Sequence, residues 1–259
     1  SFAAEAGHDI NYIALTGALG AMGAKDVPPV PPLNLVGDFG GGGMLLALGI
    51  CAALVETAKS GLGQVIDAAM TDGSALLMTM MFGMYSAGQW KDERESNLLD
   101  GAAHFYGCYE CKDGKYISIG SIEPQFYASL IENMELDASK FSNQFDKNSW
   151  SNLKELIGLR FKEKTRDEWC KIFTGKDICF APVLSLEESL NNQHNLDRET
   201  FVEVAGIKQP APAPRFSRTE SEIKHPPLKV GSNTPEIIES LSSKIDVSVL
   251  TDQKIIRLD

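Results

Sequence analysis

The sequence predicts a mixed α/β chain, mostly helical up to about Asp100 and turning to strand signals beyond it. Three observations carry this. Residues 44–60 and 67–88 are apolar, helix-length segments rich in Ala, Leu, Met and Gly. Residues 105–122 alternate apolar and polar around Lys112-Asp113-Gly114, the pattern of a β-hairpin. A charged loop over 90–100 separates these two characters, so a domain boundary is placed near Asp100.

In chain order, a first helix is expected over 9–23, capped by Asp9, with Ile10, Ile13, Ala14 and Gly17 at helical spacing. The prolines of "KDVPPVPPLN" (25–34) hold the next segment extended. "VGDFGGGG" (36–43) reads as a glycine loop, and the run from Met44 to Val55 as a buried helix that "GLGQ" breaks. "QVIDA" reads as a short strand, and Asp67 or Thr71 opens a long helix to about Gly88. Beyond the hairpin, Pro124 at a first helical position marks a helix after Glu123. Helices follow near 149–164 and 166–175, the second opened by a Thr165–Glu168 capping box. "CFAPVL" is a strand and 185–192 a short helix. The proline-rich stretch 205–235 is a linker carrying the chain back to the first part, and a last short helix covers 235–243. No internal repeat is visible.

The composition narrows the function. With 43% hydrophobic residues in 259, the chain is long enough for a sizeable core. A net charge of -11 argues against a nucleic-acid surface, and the dispersed basic residues form no stripe. Five cysteines, an odd and scattered set, point to a reducing, cytoplasmic setting rather than a disulfide framework. No run reaches the roughly 18 continuous apolar residues of a membrane span. Neither "SFAAEAGHDI" nor "KIIRLD" reads as a targeting signal.

Five groups could carry chemistry. His8 stands just before a helix with Asp9 beside it; histidine is the side chain most easily poised as a base near neutral pH, and helix-start amides can face a developing oxyanion. The alternative is a surface histidine at a helix cap. A metal phosphohydrolase would need further His and Asp ligands, and the four histidines lack the spacing. Asp38 beside four consecutive glycines could be a base or a nucleophile, or a solvated turn residue. That run does not match the dinucleotide-binding fingerprint, and "DFG" has no kinase companions. Glu123 sits at a helix start, where the dipole favours its ionised form. The methionines at 78, 80, 81 and 84 suit either an adaptable apolar ligand surface or ordinary packing. Cys108 and Cys111 form a lone C-x-x-C whose spacing puts them on opposite strand faces.

Taken together, "AGHDINYIALTGALGAMG", "PPVPPLNLVGDFGGGGMLLALGI", "GLGQVIDAAMTDGSALL", "NLLDGAAHFYGCYECKDGKYISIG", "IEPQFY", "APVLSLEE" and "PAPRFSRT" resemble the α-methylacyl-CoA racemases, within the larger CoA-transferase family III, over nearly the whole chain. The resemblance implies an interlocked homodimer with a large α/β domain, a smaller α+β domain and a C-terminal segment returning to the large one. Residues 1–100 would be part of the large domain, 101–204 the small domain, and 205–259 the linker and return. Relatives carry a substantial segment before the His-Asp motif, so the chain is expected to lack the N-terminal portion of the large domain, with weak or absent activity in isolation.

The resemblance also implies roles. His8 and Asp38 become two catalytic bases, and Glu123 of the partner subunit holds His8. The backbone amide of Asp9 faces the thioester oxygen. Tyr12, Asn34, Gly40 and Gly41 surround the bases, and Met78, Met81 and Met84 form the surface for the acyl chain. The implied reaction is an isomerisation in fatty acid metabolism, with acyl-CoA as substrate and neither cofactor nor metal. Inversion at the α-carbon needs one base on each face and an enolate held between them by preorganised donors. A family III CoA-transferase with Asp38 as nucleophile is the runner-up, and an impaired or non-catalytic fragment of the fold is the third reading.

Overall fold

In a computed structural model, residues 4–241 and 247–256 are described. The chain forms two compact units, 1–183 and 184–259, so the boundaries expected near 100 and 204 fall inside units.

The first unit begins with α1 (Asp9–Leu15), which stops short of the expected residue 23. Gly17, at φ 79°, turns the chain out of the helix, and a short 3-10 turn (Leu19–Ala21) follows. The extended proline segment leads into a π-helical segment, Leu35–Met44, continued directly by α2 (Leu45–Ser60). The glycines are therefore helix and not loop. Phe39 N–H donates to Asn34 O five residues back, the spacing of a π-turn. Gly61, at φ 75°, ends α2.

The expectation of a buried helix from Met44 is corrected, because α2 has no buried residue and Leu46, Leu48, Ile50, Leu54 and Val55 are all exposed. No described residue of the chain covers that face. Glycines and Asp38 interrupt the apolar run, but the joined helix Leu35–Ser60 contains an 18-residue stretch with a mean hydropathy of 1.7. By length and composition it is long and apolar enough to cross a membrane, a property shared with core helices of water-soluble folds. "QVIDA" is not a strand: no described strand pairs with it, and Val65 is 95% exposed. The expected long helix is two, α3 (Met70–Leu77) and α4 (Thr79–Ser86), broken at Met78.

The core of this unit lies between a three-stranded antiparallel sheet and three helices. The expected hairpin is present as β1 (Tyr106–Glu110) and β2 (Tyr116–Gly120), with β3 (Phe180–Val183) on the far side of β2. Over it pack α5 (Pro124–Asn133), α6 (Trp150–Phe161) and α7 (Arg166–Phe173). Phe105, Ile117, Leu130, Phe161, Trp169 and Phe173 are fully buried, each worth about 1.5–3 kcal/mol in apolar burial. The Thr165–Glu168 capping box opens α7: Glu168 Oε2 accepts from Thr165 N–H at 2.8 Å, and Thr165 Oγ1 accepts from Glu168 N–H at 3.3 Å. Cys108 is exposed and Cys111 buried, on opposite faces.

The second unit contains α8 (Leu186–Leu190), α9 (Gln193–Asp197), β4 (Phe201–Val204), β5 (Ile207–Pro210), α10 (Thr234–Leu241) and α11 (Val247–Asp252). β4 and β5 form an antiparallel hairpin that begins before and runs into the stretch read as linker. Ala205 and Gly206, both at positive φ, make its tight turn. The end of the helix expected over 235–243 lies outside the described residues.

Candidate active site

The start of α1 is built by His8. Its backbone is extended (φ -129°, ψ 175°), which makes His8 the N-cap and Asp9 the first helical residue, correcting the expected cap. Asn11 Oδ1 accepts from His8 N–H at 3.0 Å, and His8 O accepts from Asn11 N–H at 2.9 Å. The backbone of His8 is thus satisfied within the first turn while the residue remains exposed. Tyr12, one turn on, lies over Gly7, where an added Cβ would meet its ring and hydroxyl at 3.0 Å.

Asp9 turns inward. It is 8% exposed, and its Oδ1 accepts from Asp38 N–H at 2.8 Å. That bond joins the helix start carrying His8 to the π-helical turn carrying Asp38. Gly37 is required there, because an added Cβ would collide with the Asp9 carboxylate. Asp9 Oδ2 is buried with no hydrogen-bond partner among the described residues. The Asp38 carboxylate is on the exposed side, where Asn34 Nδ2 donates to Oδ2 at 3.4 Å.

The glycines seat this turn on α3. A Cβ at Gly41 would lie 2.7 Å from Ser74 N, and one at Gly73 would overlap the Gly41 carbonyl, so the two backbones are in direct contact. Gly40 faces its own Leu35 carbonyl and Leu77 Cδ1. The structure thus gives Gly40 and Gly41 helix-packing contacts. Met78, Met81 and Met84 are half-buried; Met78 and Met81 line two hollows beside α4, which Met84 does not.

Glu123 is the N-cap of α5, exposed, in extended conformation. Its segment is firmly held. Gln144 Nε2 donates to the carbonyls of Ser121 and Ile122 at 3.0 and 2.9 Å. One turn into α5, the Tyr127 hydroxyl bonds His104 Nε2 at 2.7 Å. Burial pushes the His104 imidazole down to about 4 and raises the Tyr127 phenol. Within the chain, no hydrogen bond or ion pair joins Glu123 to His8 among the described residues. Nor do three or more His, Cys, Asp or Glu residues there converge as a metal site.

Asn11 and Gly37 escaped the sequence reading. Asn11 stands three residues after the cap, where a capping side chain reaches back, and that spacing was legible. Gly37 carried no local signal, since its need arises from Asp9, far back in the chain.

What this arrangement can do is present two ionisable side chains, His8 and Asp38, from two elements locked together by Asp9. The CoA-transferase family III model matches residues 2–234. The α-methylacyl-CoA racemase of Mus musculus is 41% identical over 262 residues, covering 100% of this chain and 68% of that protein. The Homo sapiens enzyme of the same name is 41% identical over 261 residues, covering 99% and 68%. A CaiB/BaiF family protein from Brucella suis shares the fold, with a TM-score of 0.75 at 19% identity, over 93% of this chain and 64% of that one. The chain therefore spans about two thirds of the relatives it matches, and it belongs to CoA-transferase family III.

Proposed function

We propose that the chain catalyses racemisation at the α-carbon of 2-methylacyl-CoA thioesters by proton transfer between two bases. The observation that carries this reading is the Asp9–Asp38 hydrogen bond, which couples the His8 cap to the Asp38 turn. The 41% identity to two α-methylacyl-CoA racemases supports it. His8 removes the α-proton from one face as its imidazole takes the proton. The electron pair moves into the carbonyl, giving an enolate whose oxygen is met by the Asp9 backbone amide. Asp38, protonated, returns a proton to the opposite face. Reversal of roles converts the other enantiomer, and no cofactor or metal enters. In this reading the enzyme works in the cytoplasm as an interlocked homodimer, with the partner's Glu123 orienting His8.

The test is deuterium exchange at the α-carbon of a 2-methylacyl-CoA in heavy water, with His8→Ala and Asp38→Ala alongside. Exchange with loss of optical purity, abolished by either change, is expected. No exchange by a folded protein would overturn the reading for this chain. A transferase reading is favoured by one observation, the exposed Asp38 carboxylate with Asn34 beside it. It requires Asp38 to attack an acyl-CoA carbonyl and expel the CoA thiolate, leaving a mixed anhydride that hydroxylamine would trap.

A further inference from the structure

Two hollows, of 140 and 330 Å³, lie side by side between the turn after α1 and helix α4. Four residues, Ala21, Met78, Met81 and Trp90, line both. Trp90 is half-buried. The other two tryptophans belong to the core: Trp150 and Trp169 are 4% and 0% exposed, with indole N–H groups donated to the carbonyls of Gln144 and Phe161.

The walls are fastened to each other. Asn97, fully buried, donates to Lys91 O at 3.0 Å and accepts from Lys91 N–H at 2.8 Å, fixing the residue next to Trp90. From the same loop, Arg94 donates to the carbonyls of Gly20, Ala24 and Val27 at 3.2, 3.0 and 2.8 Å, tying it to the turn after α1. The hollows are preformed, as small-molecule sites usually are.

They also adjoin, along the chain, the elements that carry the candidate site. Gly40, two residues from Asp38, meets Leu77, and Met78 is the next residue. α1, about 10 Å long at 1.5 Å per residue, carries His8 at its start and the hollow-lining Gly17 just past its end. The charged side chains lining the hollows are Asp92 and Asp100, both acidic.

We infer that Trp90 is a specificity-determining residue, the wall against which an uncharged acyl tail of a CoA thioester packs after running along Met78 and Met81. Short acyl groups end before reaching it, and a tail ending in a carboxylate meets Asp92 or Asp100 with like charge. The inference rests on the thioester reading of the His8–Asp38 site.

The experiment titrates the full chain with octanoyl-CoA, acetyl-CoA, octanedioyl-CoA and free CoA, following tryptophan emission, and reads α-proton exchange separately in the same samples. Octanoyl-CoA is expected to shift the emission and to bind about tenfold tighter than acetyl-CoA, the yield of burying roughly two methylenes. Trp90→Phe should abolish the shift, while Trp150 and Trp169 continue to report a folded core. Asp92→Asn should raise the affinity for octanedioyl-CoA and leave that for octanoyl-CoA unchanged. No shift with octanoyl-CoA, or an equal shift with acetyl-CoA or free CoA, overturns the inference. Exchange without a shift overturns it while the racemase reading stands; a tail-dependent shift without exchange does the reverse.

Discussion

Asp9 Oδ1 accepts the backbone N–H of Asp38 at 2.8 Å, so an acid next to one candidate base holds the main chain of the other. The bond spans 29 residues and sits against Gly37. Removing the carboxylate with Asp9→Ala leaves a partly buried amide without its acceptor, at a cost of about 1–3 kcal/mol. Urea unfolding should show this loss, and α-proton exchange should fall as well. Unchanged stability together with unchanged exchange would exclude the coupling role.

Gly73 has no room for a side chain, because a Cβ there overlaps the Gly41 carbonyl. Gly73→Ala must push α3 away from the turn carrying Asp38. A destabilisation of about 1–3 kcal/mol is expected, as for overpacking elsewhere. Gly83→Ala, with open space around its added Cβ, is the control and should be neutral or slightly stabilising. Equal behaviour of the two variants would contradict the packing described.

His104 makes a pH prediction. Its imidazole is fully buried and titrates near 4, against an ordinary 6.5. The unfolded chain therefore binds the extra proton first, and stability falls as pH drops from about 6.5 to 4. The full effect is on the order of 3 kcal/mol at pH 4 and below, and it is absent above pH 7. Unfolding followed by the emission of Trp150 and Trp169 should give this slope, and His104→Gln should flatten it. A slope unaltered by that change would place the acid sensitivity elsewhere.

Arg94 offers the sharpest contrast between similar side chains. Its guanidinium reaches four carbonyls of the turn after α1 in different directions, which a lysine ammonium on a flexible stem does not reproduce. Arg94→Lys should speed limited proteolysis in the segment 20–34, and Arg94→Ala should do so further. Identical digestion of all three proteins would show that the clamp is idle.

Much of the second half of the first unit was legible because its signals are local. The Lys112–Gly114 turn sits between alternating strands, and Thr165 lies three residues before Glu168. The first half was less legible, because its decisive contacts are distant. Nothing near "GGGG" says that Gly41 will meet Gly73 and wind the run into a helix. The apolar residues of α2 announce burial, yet no described residue covers them. In the second unit, prolines drew attention from the β4–β5 hairpin, although Ala205-Gly206 suits the tight turn found there. For the site, motif resemblance identified Asp9, Asn34 and Asp38, which the fold brings together. Glu123 lies on an element that no hydrogen bond connects to them among the described residues.

The π-helical winding of residues 35–44 makes the direction of the Asp38 side chain a matter of counting. A helix residue carries about 100° of rotation, at 3.6 residues per turn. Deleting a single glycine between Asp38 and α2 would let the segment relax toward α-helical winding and swing that carboxylate by roughly a quarter turn or more. The number of glycines, quite apart from their smallness, is then an angular setting that substitution scanning would leave untouched and a one-residue deletion would reset.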